Sequence, residues 1–187
     1  MSAKTAITSI PPAKLDFFAG VLSYLIPGLG QILQGRIAKG VVFFVCLYAL
    51  YFYGMFLGNW KNVYLPDSGD RGNPISRVAN DLYYRPHFAG QFFIGIAAWP
   101  AIWQYIQFDV RKEEGPIFGR MMRTPPPDEI NRLQREENKM WDLGWVYTVI
   151  AGVLNILVIY DAIAGPAFRE IAQKDLTTNP KPDTVTA

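Results

Sequence analysis

Hydrophobic positions in this chain gather into four long windows, Phe17 to Gly35, Gly40 to Trp60, Phe88 to Phe108 and Leu143 to Tyr160, and charged residues crowd into the segments between them. A soluble domain mixes the two kinds every few residues, so the segregation predicts helices that cross a membrane. Each window is close to the roughly 20 residues that a helix needs to traverse about 30 Å of hydrocarbon. A single such window could be the core helix of a soluble protein, which is also apolar all round. Four of them in 187 residues fit a bilayer instead. The expected fold is therefore an all-α, polytopic helical membrane protein of about four transmembrane helices, with a tight hairpin between the first two.

Turn and breaker residues divide the chain further. Residues 1–14, with Pro11 and Pro12, read as a flexible lead-in, and residues 15–60 as a transmembrane hairpin. Pro27 should kink or end the first helix near Ile26, with Gly28 and Gly30 just beyond it, and in lipid the carbonyls so released must find partners inside the protein. Only Arg36 to Lys39 separate the first two windows, so those helices are expected to pack together. Gly54 and Gly58 form a GxxxG face suited to close helix approach. Residues 61–87 read as a polar loop, rich in turn pairs such as Ser68-Gly69 and Asn73-Pro74, with Trp60, Tyr64, Tyr83 and Tyr84 at its edges for the headgroup region. In the third helix, 88–108, Pro100 is expected to bend the chain without ending it. Residues 109–141 form a charged loop in which Asp128 caps a short helix through Met140, with Ile130, Leu133, Met140 and Trp141 as an apolar stripe. Gly144, Thr148 and Gly152 give the fourth helix, 142–165, a ridge of small residues, and Tyr160-Asp161 followed by Gly165-Pro166 marks its stop. A polar tail, 166–187, is expected to lose order from Leu176.

Composition narrows the chemistry. The net charge of +2 and the lack of a Lys/Arg stripe give no basis for a nucleic-acid partner. Cys46 is the one cysteine and His87 the one histidine, which removes an internal disulfide and the common His/Cys metal clusters. There is no GxxxxGK[ST] loop, no GxGxxG and no HExxH, so neither a catalytic constellation nor a cofactor is expected. The carboxylates Asp16, Asp109, Asp142 and Asp161 lie at window edges, where water can solvate them, which suits a boundary role better than a proton relay. Inside the windows the polar residues are Gln31, Gln34, Gln91, Gln104 and Asn155. Asn155, deepest in its helix, calls for an interhelical hydrogen bond or a ligand. Lys4 and Lys14 before an apolar run raise the question of a signal peptide. Asp16, Pro27 and the missing A-x-A pattern speak against it.

The run from Ile26 through Pro27-Gly28-Leu29-Gly30-Gln31, with Gly35-Arg36 and Lys39-Gly40 after it, resembles the TM-two domain family over residues 15–58. The same hairpin, together with Leu143-Gly144-Trp145 through Asn155, Tyr160-Asp161-Ala162 and Gly165-Pro166, resembles a bacterial family labelled domain of unknown function 6677, known chiefly from planctomycete-type genomes. That resemblance implies a membrane location and no established activity. The chain lacks the Asp-Arg-Phe-type loop motif of animal TM-two proteins, so their signalling associations do not carry over.

Two expectations follow. Residues 36–39 and 109–141 should lie in the cytoplasm, with both termini outside, because Arg36, Lys39, Arg111 and Lys112 abut helix ends. The protein should be a non-enzymatic scaffold or accessory subunit of the bacterial inner membrane, with the lipid bilayer and other membrane helices or a second copy as partners. Its candidate packing or polar site is Pro27, Gly28, Gly30, Gln31, Gly54, Gly58, Gly144, Thr148, Gly152, Asn155, Tyr160 and Asp161. The rival is a small transporter or lipid-handling protein with a site between the broken first helix and the fourth.

Overall fold

The computed structural model describes residues 15–65, 73–107, 117, 121–136 and 139–178, and these contain helices and turns but no strand. The lead-in at 1–14, the Arg111-to-Glu114 cluster and the last nine residues of the polar tail lie outside the described residues. Asp16 opens α1 (Phe17–Leu25) by accepting a 3.0 Å hydrogen bond from the Ala19 N–H, satisfying one of the orphan donors of a helix start. Pro27 ends the helix at Ile26, and Gly28 at φ 85° reverses the chain into α2 (Leu29–Leu33).

The first window is consequently not one continuous helix. The Asp16 N–H donates to the Ile163 carbonyl at 3.0 Å, and Gln34 Nε2 donates to the neighbouring Ala162 carbonyl at 2.7 Å. Both ends of the window meet one turn of the last helix, so α1 and α2 form a hairpin about 14 Å deep, near half a hydrocarbon layer. A kinked spanning helix was the expectation; a proline followed by a left-handed glycine turns the chain back instead. α1 packs on the last helix, and it is α2 that packs against α3 (Ile37–Leu57), the second window.

After α3 the chain forms α4 (Pro74–Tyr84) where a loop was expected. Pro74 supplies a helix start, Val78 and Leu82 pack on the core, and Ser76, Asn80 and Tyr83 face outward. The third window is also broken: α5 (Pro86–Phe92) ends before Gly95 at φ 86°, a 3-10 turn spans Ile96–Ala98, and α6 (Trp99–Gln107) follows. Pro100 falls in the first turn of α6, where its missing N–H is harmless, so the interruption lies at the glycine and not at the proline. Ile102 of α6 shares a cleft with Leu65, Phe88, Ala89, Phe92 and Phe93, so α6 lies beside α5. Asp128 sits inside the first turn of α7 (Pro127–Glu136) and does not cap it; Met140 and Trp141 belong to α8 (Met140–Thr178).

α8 runs antiparallel to α3 in the most extensive contact of the fold. It continues through the expected stop at Tyr160-Asp161, with Pro166 inside it. Pro166 cannot bond the Ala162 carbonyl, and that carbonyl takes Gln34 in its place. Tertiary partners thus supply what the local stop signal says is missing, and Leu176 to Thr178 remain helical.

Two helical segments, Ile37–Leu57 and Met140–Pro166, are long and apolar enough to cross a membrane, and only 33% of each tested window is buried. A core helix of a soluble domain would be mostly covered. The connections also differ from the expected threading. Lys61 pairs with Glu129, and Thr124 Oγ1 donates to the Leu65 carbonyl at 2.9 Å. Residues 61–65 and 124–129 therefore share one end of the α3–α8 pair, whereas the charge pattern assigned the loops at 61–87 and 109–141 to opposite faces.

Candidate functional site

Polar contacts fasten the other segments to α8 at three levels along its length. At the Asp161 end, the carboxylate accepts from Arg36 at 2.7 Å and Lys39 at 2.6 Å, and from Gln31 Nε2 at 3.2 Å. Arg36 Nη1 also reaches the Asp161 carbonyl at 3.3 Å, and its guanidinium lies against Gly165, where a Cβ would collide with it. Gln34 Nε2 joins the cluster by donating to Asp16 Oδ2 at 3.2 Å. Two cations on one partly exposed carboxylate, at the end of an apolar helix, fasten the α2–α3 turn to α8.

Midway along α8 lies Asn155, fully buried. Its Nδ2 donates to the Ser23 carbonyl at 3.1 Å and to the Phe93 carbonyl at 2.8 Å. Ser23 stands four residues before Pro27, so its carbonyl has no intrahelical donor; Phe93 closes α5 at the Gly95 break. One amide thus stabilises both interrupted helices. The breaks themselves touch: a Cβ on Gly95 would overlap the Tyr24 carbonyl and lie 2.6 Å from the Leu25 carbonyl. Ser23 Oγ donates to Gln31 Oε1 at 2.9 Å and accepts from the Gly30 N–H at 3.1 Å, while Gln31 Nε2 donates to the Val158 carbonyl at 2.8 Å. Gly30 is required by proximity, since a Cβ there would strike the Ala19 carbonyl. Asn155 Oδ1 is buried without a hydrogen-bond partner among the described residues.

The third level is the Gly54 end. A Cβ on Gly54 would lie 2.7 Å from the Gly144 carbonyl, and a Cβ on Gly152 would overlap the Gly90 carbonyl of α5. Gly58 abuts Asn62, whose Nδ2 donates to the Gly54 carbonyl at 3.0 Å. Gln91 Nε2 donates to Thr148 Oγ1 at 2.8 Å and to the Asn62 carbonyl at 3.2 Å. Arg85 is only 9% exposed. Its guanidinium makes two long bonds of 3.4 Å to the Tyr64 and Asn62 carbonyls and stacks 3.6 Å from the centre of the Tyr64 ring. Burial lowers the pKa of this guanidinium from its ordinary value, and Tyr64 partly offsets the effect.

The candidate residues are thus distributed, not gathered into one site. Pro27, Gly28, Gly30, Gln31 and Asn155 do come together around the two breaks, and Asp161 lies one helical turn beyond Val158 at the ion cluster. Gly54, Gly58, Gly144, Thr148 and Gly152, read as faces for other helices, are turned inward against α3, α5 and Asn62. Tyr160 is 61% exposed on the outer surface. Sequence reasoning missed Ser23, Arg85, Gly90 and Gly95. Ser23 was recoverable, because a proline four residues later frees its carbonyl; the others depend on packing between distant segments. Among the described residues no group of three or more His, Cys, Asp or Glu side chains is placed to hold a metal ion.

A family described as a family of unknown function, DUF6677, matches residues 18–175. No curated protein and no solved structure matches the chain.

Proposed function

We propose, from the premise that this chain belongs to the DUF6677 family of unknown function, that it is a non-enzymatic, multi-pass integral membrane protein acting as a scaffold or accessory subunit. α3 and α8 cross the bilayer, and the α1–α2 and α5–α6 hairpins each enter about half-way, from opposite faces. The observation that carries this reading is the use of the amides. Asn155, fully buried, and Gln34, half-buried, donate to carbonyls that the interruptions release, at Ser23, Phe93 and Ala162, and the buried Gln31 adds a bond to the Val158 carbonyl. In hydrocarbon each released carbonyl would cost several kcal/mol, so irregular backbone at membrane depth persists only when protein covers it. An all-helical chain suits a bacterial inner membrane, since outer-membrane spans are closed barrels.

The transport reading needs an accessible polar site at Gln31 and Asn155. Both are fully buried, and Tyr160 turns away from them. Partner contact falls instead to the outer apolar surface, where Val42, Phe52 and Phe56 of α3 are 57%, 47% and 65% exposed. Large exposed apolar faces of this kind mark contact with lipid or with another membrane helix. Purification in mild detergent should yield a defined assembly, either a homo-oligomer or a stoichiometric complex with another membrane protein. A monomer without a co-purifying protein that turns over a lipid or solute would overturn the scaffold reading.

A further inference from the structure

A cleft of about 290 Å³ between α4, α5 and α6 is lined by Leu65, Val78, Leu82, Phe88, Phe92 and Ile102 among others, with no polar lining. α4 roofs it with Val78 and Leu82 and turns its polar side outward, the arrangement of a helix lying in a membrane surface. The chain then bends at Arg85-Pro86 and descends as α5. At that elbow sits the Arg85 cation, 9% exposed, and among the described residues no carboxylate pairs with it. Its bonds to backbone are two long ones to neutral carbonyls, and its other contact is with the neutral Tyr64 side chain. A buried cation left without an anion is costly, and a guanidinium fork fits phosphate oxygens.

We propose that this elbow binds an anionic phospholipid, with Arg85 holding the headgroup phosphate and the cleft taking the upper part of one acyl chain. Charge complementarity selects the occupant: a groove without a polar lining accepts a hydrocarbon chain, and a buried cation beside Leu65, with no carboxylate partner among the described residues, suits a negative head. The two halves stand on consecutive turns, since Leu82, Phe88 and Ala89 line the cleft on either side of Arg85 in the chain. This inference rests on the membrane reading above and goes beyond it by naming the lipid class and the residue.

The test uses the full chain in mild detergent, titrated with dioleoyl phosphatidylglycerol or dioleoyl phosphatidylcholine and read by native mass spectrometry. The wild type should retain phosphatidylglycerol in preference to phosphatidylcholine, and Arg85→Met should lose about fivefold of that preference, the effect of one basic residue at a lipid surface. Because Arg85 also holds the Asn62 and Tyr64 carbonyls, Ala89→Leu provides a second arm: filling the cleft with Arg85 intact should lower phosphatidylglycerol retention while helicity by circular dichroism is unchanged. Inorganic phosphate at the same concentration should not compete. Equal retention of the two lipids by the wild type, or unchanged retention in Ala89→Leu, would overturn the proposal and leave the membrane reading intact. A chain that remains monodisperse without detergent and retains neither lipid would overturn both.

Discussion

Gly152→Val should lower the thermal unfolding midpoint of the detergent-solubilised protein more than any outward-facing substitution on the same helix. The backbone leaves no space there: a Cβ would overlap the Gly90 carbonyl oxygen and lie 2.9 Å from the carbonyl carbon. Neither atom can rotate aside as a side chain would, so α5 must shift away from α8. The shift would strain the Gln91–Thr148 bond of 2.8 Å one residue along from Gly90. Overpacking of this kind costs about 1–3 kcal/mol, and more when main chain must move. Val153→Leu, at an exposed neighbouring position, is the control and should be close to neutral. Equal midpoints for the two variants would mean that α5 does not pack on α8 through this glycine pair.

Asn155→Leu should be the most damaging of the polar substitutions. Leucine is close to asparagine in size and better suited to hydrocarbon, so a purely packing role would predict little change or a gain. The amide, however, closes two carbonyls at once, those of Ser23 and Phe93. An interhelical hydrogen bond in a membrane protein is worth about 0.6 kcal/mol on average and up to about 1.7, which for two bonds gives a loss of about 1–3 kcal/mol. The loss should be local as well. Proteolysis should accelerate at the Pro27 and Gly95 breaks, while the α3–α8 contact through Gly54 and Gly144 persists. A variant with wild-type stability and wild-type cleavage at both breaks would show that other donors serve these carbonyls.

Parts of this architecture are legible from residues alone. Freedom from charge from Gly40 to Trp60 identifies most of α3, and the Pro27-Gly28 pair announces a break at Ile26, where α1 ends. The need for internal partners for released carbonyls is also foreseeable from Pro27. What a linear reading cannot supply is which distant group answers that need. Gln34 sits 128 residues from the carbonyl that it takes at Ala162, and Asn155 sits 132 from Ser23. Lacking those partners, the sequence makes Pro166 a stop, although α8 continues through it. The direction of the chain after a break is likewise set by one glycine dihedral, at Gly28 and again at Gly95. Hydrophobic window length is blind to that, because a hairpin reaching half-way in and back contains as many apolar residues as one full crossing. The GxxxG reading of Gly54 and Gly58 anticipates close approach of a helix without naming it; in the fold Gly54 meets Gly144 of α8 and Gly58 abuts Asn62.

If α1–α2 and α5–α6 each return to the face they entered from, α3 and α8 are the two crossings. In a Cys46→Ala background, single cysteines at Leu15, Ala38, Asn80 and Asn131, all exposed, can be probed in intact cells and inverted vesicles with a membrane-impermeant maleimide. Leu15→Cys and Ala38→Cys should label from one side, and Asn80→Cys and Asn131→Cys should both label from the other. Four full crossings would instead separate Leu15 from Ala38 and Asn80 from Asn131, and labelling in that alternating order would contradict this topology.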